Sequence, residues 1–61
     1  MTHEHVDQLL ANPATRVRGM RAALALPDDE LAYLRDRLRE LRDDPDPVVR
    51  WFASRRLEVV D

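Results

Sequence analysis

The chain has no cysteine, no lysine and no isoleucine, only one glycine (Gly19), and one residue each of phenylalanine, tyrosine and tryptophan among its 61 positions. Without cysteine there can be neither a disulfide nor a thiolate metal site. No apolar run approaches the ~18 residues of a membrane-spanning helix. The opening Met1-Thr2-His3-Glu4-His5 is polar and lacks the basic-then-apolar order of a signal peptide, so the expected location is the cytoplasm. Nothing alternates with period two over a useful length, so no sheet is expected.

What remains is charged (36%) and apolar (44%), with a net charge of −2. That balance describes a soluble globular chain better than a disordered one. The length allows a single domain, 1–61, which buries only ~60% of its unfolded surface and is expected to be marginally stable. All ten basic residues are arginine. Arginine-only usage suits bidentate phosphate recognition. It also suits a small protein from a GC-rich bacterial genome, and the twelve acidic residues favour that second reading.

Four helices can be read between proline signals. The first covers about Thr2 to Ala11, with Thr2 as cap and Val6, Leu9 and Leu10 as its apolar face. Asn12-Pro13 breaks the chain and suits the N-cap and N1 of a second helix, which runs from about Pro13–Thr15 to Ala25. Its expected core face is Val17, Met20, Ala23 and Leu24, and Pro27 ends it. The third runs from about Asp28 to Arg42 with a continuous Leu31, Leu34, Leu38, Leu41 stripe. Acids crowd its first turn, arginines its last. Its other face, with Arg35, Arg37 and Arg39, reads as solvated. Asp46 and Pro47 cap and open the fourth, which runs to about Val59 with Val49, Phe52, Ala53, Leu57 and Val60 inward and Val48 and Trp51 on its flank.

A shift of 32 residues aligns the chain with itself: Leu9 on Leu41, Pro13 on Pro45, Val17-Arg18 on Val49-Arg50, Gly19 on Trp51 and Met20 on Phe52. A period near 30 in a helical chain suggests stacked helix pairs. The stretch Leu41-Arg42-Asp43-Asp44-Pro45-Asp46-Pro47-Val48-Val49-Arg50, followed by Ala53 and Leu57, resembles the signature of HEAT-like helical repeats. The second repeat, about 28–60, matches well. The first, about 2–26, is degenerate, with Ala14-Thr15 in place of the second Asp-Pro. The resemblance implies an all-α fold: two stacked antiparallel helix hairpins forming a short, right-handed HEAT-like α-solenoid. It implies structural roles for Arg50 and Arg18, each paired with an acidic residue of a neighbouring turn, Arg18 reaching Asp44 or Asp46. It also makes Trp51 unexpected, at a position that is usually polar. Stacked hairpins would set helices two and four side by side, with the indole over the space left by Gly19; the competing reading makes Trp51 an interface anchor.

Catalysis has little to draw on. Ser54 and Tyr33 stand far in sequence from His3 and His5, and no nucleophile–base–orienter set is apparent. His3 and Asp7 share a helix face, but two ligands are too few for a closed metal site. The Asp43-Asp44-Pro45-Asp46 loop lacks the glycine and distal glutamate of a calcium loop. Neither a metal, a cofactor nor a small-molecule substrate is expected, and the chain is not expected to be an enzyme. The leading expectation is a protein–protein interaction module or adaptor, as a homodimer or on a larger partner, with Val48, Trp51, Arg55 and Val59 at the contact and Val60 beside them. The alternative is nucleic-acid binding through Arg16, Arg21, Arg55 and Arg56 on helices two and four.

Overall fold

The computed structural model of the chain describes residues 2–61. Every element among them is helical: α1 (His3–Ala11), α2 (Arg16–Leu24), α3 (Asp28–Leu31), a 3-10 turn (Ala32–Leu34), α4 (Arg35–Leu41) and α5 (Pro47–Val60). The third expected helix is thus a composite rod, α3–turn–α4. Side chains three apart eclipse in a 3-10 turn, which stacks Leu31 over Leu34, and both are fully buried.

The rods pack as two hairpins, α1 on α2 and the composite rod on α5, joined where α1 crosses the 3-10 turn and α4. The result measures 27 × 23 × 16 Å. Four helical rods in two stacked hairpins is the architecture the periodicity and the proline breaks imply. The core joins Val6 and Leu10 of α1, Ala23 of α2, the four stripe leucines, and Val49, Phe52, Ala53 and Leu57 of α5.

Caps follow the sequence at two of the starts. Thr2 Oγ1 accepts from the His5 amide, and Asp46 Oδ1 accepts from the Val48 amide at 2.9 Å. Each satisfies an amide with no partner inside its helix. The start of α2 differs from expectation. Asn12 Oδ1 accepts from the Ala14 amide at 3.0 Å, a local Asx turn, and the helix begins only at Arg16. The Thr15 hydroxyl donates to the Leu9 carbonyl at 2.9 Å and ties this turn to the end of α1.

The largest departure concerns α2. Ala23 is buried and Met20 packs against the core, as expected, but Val17 and Leu24, also expected inside, are exposed, and Gly19 is buried in their stead. Gly19 lets the backbones of α1 and α2 approach closely: a Cβ there would stand 2.9 Å from the Leu10 nitrogen and 3.0 Å from the Leu9 Cβ. The small residues at 19 and 23 share one face, one turn apart, and that face meets α1. The bulky pair is consequently turned outward.

Candidate protein-binding face

The connection between α4 and α5 organises the joint between the hairpins. Arg16 Nη1 donates to Asp44 Oδ2 at 2.8 Å, and Arg16 Nε donates to the Leu10 carbonyl at 2.9 Å. Both side chains are largely shielded from solvent. The other oxygen of Asp44 accepts from the Asp46 amide at 2.9 Å. One carboxylate therefore shapes the turn before α5 and anchors it to the end of α1 through Arg16. The residue that reaches Asp44 is Arg16, not Arg18; on α2 the side chain at 18 points to solvent. Arg50 also differs from expectation. Its Nη1 donates to the carbonyl oxygens of Asp44 and Pro45, at 2.8 and 2.9 Å, and it pairs with no carboxylate.

A second set of ties crosses from α1 to the composite rod. Arg37 donates from Nε to Asp7 Oδ1 at 2.8 Å and from Nη1 to Glu40 at 3.0 Å. Its bond to Asp7 raises the Arg37 pKa above the ordinary arginine value, against the smaller opposing effect of burial. Arg37 is thus an interhelical clamp, not part of a merely solvated face. His3 Nδ1 stands 2.6 Å from Glu30, and its ring stacks on Tyr33 with centroids 4.3 Å apart. His3, Asp7, Tyr33, Arg37 and Glu40 border a shallow 420 Å³ cleft with Gln8 at its side. Arg35 and Arg39 hold the Asp61 carboxylate at 3.0 and 3.3 Å. Among the described residues, no three His, Asp or Glu side chains converge as a metal site. Ser54 lies with Arg42, Glu58 and Asp61 around a 340 Å³ hollow that contains no histidine.

The apolar residues left outside lie mainly on α2 and α5. On α5, Val48, Trp51, Arg55 and Val59 fall within an arc of about 80° at 3.6 residues per turn, on the side away from Val49, Ala53 and Leu57. Trp51 is 65% exposed and Val48 61%. The indole does not cover Gly19, because the space over that glycine is filled by Leu9 and Leu10. Nor do α2 and α5 run as a closely packed pair; each packs chiefly on a rod of its own hairpin. Val60, by contrast, leans into the core and is not available beside Val59 as a contact.

The basic residues of the alternative reading are dispersed in their engagements. Arg16 is held by Asp44, Arg55 Nη1 lies 3.7 Å from Glu58, and Arg56 is half-buried, its Nε enclosed without a hydrogen-bond partner. Arg21 is exposed. Among the described residues, no helix is long and apolar enough to cross a membrane. Searches of protein-family models, curated proteins and solved structures find no match to this chain.

Proposed function

We propose that the chain is a non-catalytic protein-interaction module, a small cytoplasmic adaptor built on HEAT-like hairpins, that docks a protein through the outer stripe of α5. The observation that carries this reading is the exposure of Trp51 beside Val48, with Val59 and Arg55 on the same flank. A tryptophan left in water forgoes most of the burial gain an indole offers, and tryptophan and arginine are the residue types enriched at binding hot spots. The HEAT-like reading is supported by the Asp-Pro-Asp-Pro turn, whose Asp44 ties the second hairpin to the first through Arg16.

Nucleic-acid binding is less well supported by the geometry. Of Arg16, Arg21, Arg55 and Arg56, the first is committed to Asp44 and the last is half-buried, which leaves few free guanidinium groups for phosphates. The test is photo-crosslinking in the source cell with benzoylphenylalanine in place of Val48, and, as a control, in place of exposed Asp43. A discrete adduct from position 48 that disappears with Trp51→Ala supports the reading. Equal adducts from both positions, or retention of the chain on duplex DNA until moderate salt, would overturn it.

A further inference from the structure

The outer flank of α2 is a second, chemically distinct surface. At 3.6 residues per turn Val17, Arg21 and Leu24 fall within an arc of about 60°, with Arg18 alongside. Val17 is 64% exposed and Leu24 60%, and α2 carries three arginines and no acid. The charge is unevenly engaged. Arg16, Arg35, Arg37 and Arg39 all have carboxylate partners, whereas Arg18 and Arg21 have none among the described residues, in a chain where acids outnumber arginines. Arg42, Arg50 and Arg56 also lack a carboxylate partner among the described residues, but Arg18 and Arg21 are the two that lie on α2, beside its two exposed aliphatic side chains.

We propose that this flank of α2 docks an acidic amphipathic helix of a partner protein. The partner's apolar residues cover Val17 and Leu24, and its carboxylates pair with Arg18 and Arg21. Charge complementarity selects this occupant. A second copy pressing its own α2 flank here would set arginine against arginine, and phosphates would leave the aliphatic side chains in water. Helix-on-helix docking of this kind needs anchors spaced by about two turns, which Val17 and Leu24 supply. The inference extends the interaction-module reading to another face and does not depend on Trp51.

The experiment is fluorescence anisotropy with the intact chain and a labelled amphipathic Glu/Leu peptide of about five helical turns. Saturable binding is expected, weakened roughly tenfold or more by Arg18→Glu/Arg21→Glu and by Val17→Ser/Leu24→Ser, and unchanged by Trp51→Ala. All four α2 side chains are exposed, so both double variants should keep their helical circular dichroism and melting temperature. The proposal is overturned if neither α2 variant weakens binding, or if poly-glutamate or duplex DNA binds as tightly as the peptide. It is also overturned if sedimentation shows self-association that the same variants abolish. Loss of peptide binding in Trp51→Ala alone would overturn this inference while leaving the α5 reading intact. Failure of crosslinking at position 48 with the α2 result unchanged would do the reverse.

Discussion

Gly19 lies so close to Leu10 that a methyl group on it would stand 2.9 Å from the Leu10 backbone nitrogen. A backbone atom cannot swing aside as a flexible side chain can, so α1 and α2 would have to separate. Gly19→Ala is therefore expected to destabilise the fold. The overpacking costs about 1–3 kcal/mol, and the improved helix propensity returns about 1, for a net loss of up to about 2 kcal/mol read from urea midpoints. Because Trp51 is on another surface, the loss should be the same in a Trp51→Ala background. A more stable Gly19→Ala protein would refute the close helix crossing.

Arg16 and Asp44 form the shielded link between the hairpins, and each also serves a backbone group. Arg16→Ala should cost about 1–2 kcal/mol, since it strands a largely desolvated carboxylate and frees the Leu10 carbonyl. Arg18→Ala, two residues on and exposed, should stay within about 0.5 kcal/mol. A double-mutant cycle between positions 16 and 44 is expected to show coupling, whereas one between 18 and 44 is not. Equal urea midpoints for Arg16→Ala and Arg18→Ala would contradict this assignment.

Arg37 clamps α1 to α4 through Asp7. It is about a third exposed, so its ion pair is screened by solvent, and Arg37→Ala should cost about 0.5–1 kcal/mol. The folded-state pKa lies above the ordinary arginine value. A raised pKa means the contribution is fully present below the unfolded value and is lost only as pH rises through the folded one. Both lie beyond the working range, so the difference between wild type and Arg37→Ala should be the same at neutral pH and at about pH 10. A difference that fades between those two pH values would show that the contribution comes from a group other than the Arg37–Asp7 pair.

The helices and the hairpin order were legible in the sequence because proline breaks and leucine spacing act locally. Asp46-Pro47 opens a helix wherever its amides need a cap, and Leu31, Leu34, Leu38 and Leu41 leave a rod only one side to bury. The face of α2 was only half legible: Met20 and Ala23 do turn inward, but Val17 and Leu24 do not. Periodicity weighs bulk, and Val17 and Leu24 outweigh Gly19 and Ala23, yet small residues are what allow close helix approach. The signal was present in the lone glycine one turn before an alanine, but not in the hydrophobic pattern. The Arg16–Asp44 pair was missed for a related reason. An internal alignment equates Arg18 with Arg50, and α2 faces its neighbours with a different side than α5 does. The flank position of Val48 and Trp51 could be read directly, because these residues fall outside the core spacing of α5, whereas the expectation that the indole lies over Gly19 failed with the side-by-side placement of α2 and α5.

That difference in facing is itself testable at the two positions the internal alignment equates, Val17 and Val49. Val17 is 64% exposed and Val49 6%, and likewise Trp51 is exposed where Gly19 is buried. The cause lies in the partners of each helix. On α2, Gly19 and Ala23 close on α1, which carries Val17 round to solvent; on α5, Val49 and Ala53 close on the leucine rod, which carries Trp51 outward. Val→Thr keeps the shape of the side chain and the β-branch but adds a hydroxyl, so it reports burial and little else. Val49→Thr should cost about 1–3 kcal/mol, because the hydroxyl leaves water. Val17→Thr should stay within about 0.5 kcal/mol, because it does not. If the two helices instead faced the core alike, the two substitutions would be equally costly in urea. Equal losses would therefore exclude the rotated packing of α2, and with it the exposed Val17–Leu24 flank on which docking of an acidic helix depends.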